Sequence, residues 1–318
     1  MKAILPEMFV RGAGMMPRAS RLVLAGLLSL SAVTGQPAGS LMASPASRRG
    51  AAAQSPEPAT LKNAAAKPAD IAFNEFEFQT ETQLLALANR SRLQAGAPPL
   101  AIDEGLSQAA RVHAQAMREA RRLSHQLDGE PALPQRLAST TQLQLEQEGE
   151  NVALDYDAER GHQHLMLSSP HRANLLNPAY NVVGLGVVRS GDRLYIVEDF
   201  GRALPSYSPA EVKQNVAAAI NRTRRQLREP ELRQRDWLGA DDAACSMAQA
   251  DKLGTSPVLE MAVSYNVLTY TSLHPETLPR SAARVVAIRG VRNFSVGACY
   301  RRTATYPTGT YWVVLSVE

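Results

Sequence analysis

Val182-Val183-Gly184-Leu185-Gly186-Val187-Val188 and Leu194-Tyr195-Ile196-Val197-Glu198-Asp199-Phe200 flank the turn Ser190-Gly191-Asp192. Two runs rich in β-branched and aromatic residues, parted by a glycine-containing turn, predict an antiparallel hairpin. The residues before it have a different period. Thr80-Glu81-Thr82-Gln83 has capping-box spacing and opens a predicted helix to about Gln94, which Gly96 and Pro98-Pro99 end. A second helix is expected from Asp103. Its stripe, Leu106, Ala109, Ala110, His113, Met117 and Ala120, recurs at helical spacing. A third is expected over 158–167, stopping before Pro170. Helices first and a hairpin last imply an α+β sandwich.

The chain has 318 residues, room for about two domains. Its hydrophobic fraction of 45% is enough to bury a core, which excludes a wholly disordered chain. Two cysteines exclude a disulfide-dense scaffold and an all-cysteine metal cluster. The net charge of +4 hides an uneven distribution: residues 75–203 carry 12 basic and 17 acidic groups, and the flanking regions are basic. With the predicted working region acidic, nucleic acid is not an expected partner.

Met15-Met16-Pro17-Arg18-Ala19-Ser20-Arg21 precedes an apolar run from Leu22 to Val33, which reads as a signal for export over residues 1–35. The run is shorter than the ~20 residues of a membrane span, so an integral membrane protein is not expected. Residues 1–14 are surplus to such a signal, which places the expected start at Met15 or Met16. Cleavage is expected after Ala32-Val33-Thr34-Gly35 or Leu41-Met42-Ala43, and no cysteine lies near either, which argues against a lipid anchor. Residues 36–74 are rich in alanine and proline and read as a flexible tether.

Three polar clusters stand out in residues 75–203. They are Ser124-His125, Gly149-Glu150-Asn151, and Ser169-Pro170-His171-Arg172-Ala173-Asn174-Leu175-Leu176-Asn177-Pro178. Each alone has an ordinary reading as a helix cap or a solvated loop. In this order they resemble the CAP superfamily of cysteine-rich secretory, antigen 5 and pathogenesis-related proteins, in its bacterial exported form. The resemblance spans about residues 80–202. It also rests on Asn89, Arg92, Leu100, His113, Met117, Asp128-Gly129, Arg136, Gly184-Leu185-Gly186-Val187 and Asp199-Phe200-Gly201. It implies a three-layer α-β-α sandwich whose cleft gathers two histidines and two acids: His125, Glu150 and His171, with Glu159 as the candidate second acid. The sequence departs from the family where a tryptophan is expected, at Leu165, and at Ser168-Ser169-Pro170-His171.

Such a group can do three things. It can bind Zn²⁺ or another divalent cation through His125, His171 and Glu150. It can act as an acid/base pair, or it can hold the layers together by hydrogen bonds. Gly161-His162-Gln163-His164 also looks like a metal site, but residues two apart on a helix diverge, so a solvated face is expected. No Gly-x-Ser-x-Gly elbow, His-Glu-x-x-His helix or phosphate-binding glycine loop occurs.

Residues 207–318 read as a second, degenerate copy of the sandwich. Ser208-Pro209-Ala210-Glu211 is a capping box, and Asn89, Arg92 and Leu100 recur 132 residues later as Asn221, Arg224 and Leu232. Ala114-Gln115-Ala116 recurs at Ala248-Gln249-Ala250, and Val183-Gly184 at Val296-Gly297. This half has no Gly-Glu-Asn, and His274 is its one histidine. Cys245 and Cys299 are expected to bridge in an oxidising compartment. Six arginines from Arg222 to Arg235 either form a solvated face or meet an anionic envelope polymer or lipid headgroup. The function expected from the whole is an exported binding or interaction module for a small molecule, lipid or envelope component, secreted or periplasmic. The alternative is a metal-dependent hydrolase with His125 and His171 as ligands and Glu150 activating water.

Overall fold

A computed structural model describes residues 7–11, 76–254, 258 and 265–318. The signal-like run and the tether lie outside the described residues. Strand β1 (Glu7–Arg11) precedes the first sandwich in the chain. That sandwich comprises α1 (Phe78–Gln94), β2 (Ala101–Ile102), α2 (Glu104–Ala120), α3 (Leu133–Thr140), β3 (Gln144–Asp155), α4 (Ala158–Leu167), α5 (Ser169–Leu175), β4 (Val182–Ser190) and β5 (Arg193–Leu204). Its sheet order is β2-β4-β5-β3, with β3 on an outer edge. The predicted hairpin is β4–β5, turning at Gly191 with a positive φ of 62°.

Alternation along the strands gives the sheet two buried faces. Val152, Tyr195 and Val197 pack on Ala110, Ala114 and Met117 of α2. Ala153, Ile196 and Phe200 pack with Leu84 and Ala88 of α1, Leu165 of α4 and Leu175 of α5. The result is three layers, α-β-α. Glycine brings α2 onto the sheet: a Cβ on Gly186 would stand 2.2 Å from the Ala110 carbonyl carbon. Asp103 caps α2, accepting from the Leu106 amide at 2.8 Å. The capping box expected at Thr80 does not form. Helix α1 begins earlier, at Phe78, and the Thr80 hydroxyl turns back to Glu77. Strand β3 is not apparent in the sequence, because Gln144-Leu145-Glu146-Gln147-Glu148 lacks β-branched residues. It is held by an antiparallel ladder to β5 from Gln144 to Asp155.

The second half contains α6 (Pro209–Gln226), β6 (Arg233–Gln234), α7 (Ala240–Gln249), β7 (Asn266–Ser272), α8 (Arg280–Val286), β8 (Asn293–Arg301) and β9 (Thr310–Val317). Its sheet order is β1-β7-β9-β8-β6. Without β1, the connectivity repeats the first sheet: β6 is parallel to β8, and β8–β9 and β9–β7 are antiparallel. Strand β1 lies upstream of Met15 and adds an edge to β7. The Ser208 capping box is present, and Cys245 on α7 is bonded to Cys299 on β8, with Cα atoms 5.1 Å apart.

One clasp occurs in both halves. Arg92, fully buried, donates to the carbonyls of Pro98, Leu175, Asn177 and Tyr180 at 2.7–3.0 Å. Arg224 donates to Pro230, Val286 and Ile288. Asn89 and Asn221 both accept from a leucine amide, that of Leu100 or Leu232. These contacts correct the expected register. Leu175 and Asn177 correspond to Val286 and Ile288, so Gly186, not Gly184, matches Gly297. A Cβ on Gly297 would stand 2.2 Å from the Ala240 carbonyl carbon, as one on Gly186 would from that of Ala110. Met117 then matches Met247, both buried, and Ala114 matches Ala244 rather than Ala248.

The halves meet through polar groups. Arg302 donates to the carbonyls of Ala138, Thr141 and Leu143. Thr308 Oγ1 accepts from the Leu145 amide and donates to its carbonyl. His274 bridges Glu146 at 3.0 Å and Glu276 at 3.1 Å.

Candidate functional site

The cleft lies at the β3 edge, where a turn after α2 meets α5. Helix α2 ends in a left-handed residue, Arg121, and the chain returns through Ser124 to His125. Buried His113 fixes that return: its Nε2–H donates to the Ser124 carbonyl at 2.9 Å. On its other side, Nδ1 lies 2.7 Å from Glu130 and from Arg136.

Glu150 projects from β3 toward α2 and is held at both oxygens. Oε1 lies 2.8 Å from His125 Nδ1, and Oε2 accepts from the buried Arg136 guanidinium. The carboxylate is buried, whereas the His125 side chain is 59% exposed. A buried acid therefore fixes one nitrogen of an imidazole that is otherwise largely exposed. His171, on α5, completes the pair, with ring centroids 6.2 Å apart and planes inclined at 39°. Partial burial, and then the neighbouring His125, push the His171 imidazole below its ordinary pKa.

Amides fasten α5 to the strand. Asn174 donates to the Glu150 carbonyl at 3.1 Å and to Asn151 Oδ1 at 3.0 Å. Asn151 donates to the His171 carbonyl and to Glu198, both at 3.1 Å. Gly149 is required beside them: a Cβ there would stand 2.4 Å from the Tyr180 hydroxyl oxygen. Beneath the site, Asp199 is directly opposite Glu150 across the β3–β5 ladder, and neither of its oxygens meets a protein donor. Burial, then the Glu150 charge, raise its carboxyl well above the usual range.

The structure therefore brings together His125, Glu150 and His171, and does not bring Glu159 to them. Glu159 is exposed in the first turn of α4. Asp155 lies five residue steps beyond Glu150 along β3, about 16 Å of strand, before that helix begins. The chain comes back to the cleft only at α5. The acids set around Glu150 and Arg136 are Asp199 and Glu130, not the one expected. His162 and His164 diverge as expected, but they do not share a solvated face. His162 is buried against Ser91 Oγ at 2.8 Å, and His164 meets Asp155 at 2.5 Å. Among the described residues no three His, Cys, Asp or Glu gather as metal ligands. With Glu150 held by His125 and Arg136, the donor set falls short of the expected Zn²⁺ site. Sequence reasoning assigned no role to Arg136 or His113; the signal available was a histidine inside the apolar stripe of α2.

Residues 85–200 match the model of the cysteine-rich secretory protein (CAP) family. An uncharacterized protein of Bacillus subtilis (strain 168), YkwD, is 33% identical over 112 residues, covering 35% of this chain and 43% of that protein. An uncharacterized membrane protein of the same strain, YlbC, is 30% identical over 132 residues, covering 41% and 37%. The chain thus spans less than half the length of these curated relatives. Among solved structures, an extracellular protein with an SCP domain from Bacillus anthracis str. Ames is 28% identical, covering 40% of this chain and 41% of that one at a TM-score of 0.36. An outer surface protein from Borrelia burgdorferi is 20% identical, covering 40% and 94% at 0.37. Residues 85–200 are a CAP domain, set in the first of two α-β-α sandwiches.

Proposed function

We propose that this chain is an exported binding module whose first sandwich takes a small or lipidic ligand between His125 and His171, and whose second is a divergent copy lacking the cleft. Export rests on the arginine-flanked apolar run of residues 22–33. No helix among the described residues is long and apolar enough to cross a membrane. The copy rests on the repeated Arg92 and Arg224 clasps. His125 has no counterpart in the second half, and His113 corresponds to Ala243.

The observation that carries the binding role is that both oxygens of Glu150 are already engaged, one by His125 and the other by Arg136. A hydrolase of the expected kind needs this carboxylate to take a proton from water. Here it already accepts from His125 and Arg136, so it serves to hold an imidazole in place. A preorganised, half-exposed imidazole pair then offers a ligand hydrogen bonds without reorganisation.

Native mass spectrometry of the full chain recovered from its expressing cells tests this. The wild type is expected to carry a small molecule or lipid at unit stoichiometry. His125→Ala and His171→Ala should each lose it while melting as the wild type does. A cargo retained by both variants, or none in the wild type, refutes the role. Ester hydrolysis abolished by Glu150→Gln would establish the hydrolase instead.

A further inference from the structure

The second sandwich departs from the first at one edge. In the first, β2 leads straight into Asp103, which caps α2. In the second, α7 begins only at Ala240, the counterpart of Ala110. The place of the first part of α2 is taken by Arg235-Asp236-Trp237-Leu238-Gly239. At its tip Leu238 is 96% exposed, the most exposed large hydrophobic side chain among the described residues. Trp237 stands behind it, half-buried on the α7 core and against Tyr265, with ring centroids 4.9 Å apart. The loop is anchored by an aromatic pair and presents leucine to solvent.

Arginines line the same edge. Arg233 and Arg235, two apart on and just beyond the edge strand β6, project to one side and are exposed. The Arg233 amide donates to the Arg292 carbonyl, which sets exposed Arg292 alongside. Exposed Arg228 and Arg289 occupy the adjoining turns. The facing acids are Asp236, Glu318 and Glu229, the last shared between Arg224 and Arg289. Nearby Arg225 and Glu231 pair with each other. At the matching positions of the first sandwich stand Gly96, Ala101, Asp103, Pro178 and Asn181, so the positive charge belongs to the second half alone. Charge on an edge strand can merely block strand addition. That explains Arg233, but not a leucine held out in water beside five guanidiniums.

We propose that this edge docks on an anionic lipid bilayer, Leu238 entering the headgroup region while Arg228, Arg233, Arg235, Arg289 and Arg292 lie over the phosphates. An apolar tip on an edge lined with arginines matches such a surface in both polarity and charge. The cleft of the first sandwich takes no part, so the surface holds whether or not that cleft binds a ligand.

The full chain is mixed with vesicles of phosphatidylglycerol and phosphatidylcholine, or of phosphatidylcholine alone, and sedimented. Binding is expected to the first only and to weaken with salt. The double variant Arg233→Glu/Arg235→Glu should lose at least roughly thirty-fold in partitioning, and Leu238→Ala roughly tenfold. Of the two tryptophans, Trp312 is 1% exposed, so a blue shift of emission on vesicles reports Trp237. His125→Ala should bind vesicles as the wild type does. Equal binding to both vesicle types, or no effect of either variant, overturns the proposal. So does capture by soluble polyphosphate that is insensitive to Leu238→Ala together with no blue shift, which would assign the edge to an envelope polyanion. All side chains changed are exposed, and unchanged melting confirms that each variant folds.

Discussion

Glu150 stands directly across the β3–β5 ladder from Asp199, both side chains on the buried α2 side of the sheet. Burial penalises the charge on Asp199, and the carboxylate of Glu150 opposite opposes it further. Both therefore favour the neutral form of Asp199, beneath the carboxylate that holds His125. A raised acid pKa contributes stability that is fully present below its unfolded value, near 3.8, and lost as pH rises through the folded value. Asp199→Asn removes the titration. Urea unfolding should show it more stable than the wild type at about pH 8, with the advantage gone by about pH 4. Parallel curves would place the proton elsewhere.

Glu198, the next residue on β5, reaches the opposite face. It is 1% exposed, and burial raises it to about 7, offset by the Asn151 amide. Its stabilising contribution is complete below pH 4.5 and fades as pH approaches and passes 7. The interval corresponds to about 3 kcal/mol at 1.36 kcal/mol per pH unit. Glu198→Gln should remove most of that slope. Since Asn151 also holds the His171 carbonyl, the imidazole NMR titration of His171 should move in the wild type as Glu198 ionises and lose that inflection in the variant.

The sandwich was legible because its signals are local. Ser190-Gly191-Asp192 marks the hairpin, Asp103 caps α2, and the 132-residue recurrence of Asn89 and Arg92 places the second half. Strand β3 was hidden because its first half is polar; it is bonded to β5, far away in the chain. The resemblance supplied His125, Glu150 and His171, whereas Glu159 failed because proximity in sequence to Gly149-Glu150-Asn151 says nothing about where a strand ends. Asp199 read as part of a β run, and only the ladder register reveals what it faces.

His274 ties the halves together between Glu146 and Glu276, with Arg202 on the other oxygen of Glu146 and Arg222 on the Glu276 carbonyl. Partial burial opposes its proton, but hydrogen bonds to the two acids outweigh this and raise its pKa. The contribution is full below pH 6.5 and is lost as pH rises through the folded value. The side chain is 35% exposed, so solvent screening limits the effect to about 0.5–1 kcal/mol. His274→Gln should lower the urea midpoint at about pH 5.5 and leave it almost unchanged at about pH 8.5. Equal losses at both would mean a packing role without charge.

Arg92 and Arg224 make the same demand of the chain in each sandwich: several buried carbonyls converge on one guanidinium. Planarity and five donors let arginine satisfy carbonyls spread around its plane. An ammonium has three donors at one point, so Arg92→Lys cannot serve Pro98, Leu175, Asn177 and Tyr180 together. Each buried acceptor left without a donor costs about 1–3 kcal/mol, so Arg92→Lys should lose about 3–5 kcal/mol, with Arg92→Ala at least as damaging. Arg224 serves three carbonyls and meets Glu229 at 3.6 Å. Arg224→Lys should lose somewhat less. Hydrogen exchange tells the two apart: Arg92→Lys should first expose the amides around α5 and β4, and Arg224→Lys those around α8 and β8. Loss of protection spread evenly over both halves by either variant would mean that they unfold as one unit, and that the clasp of each sandwich does not set the stability of its own half.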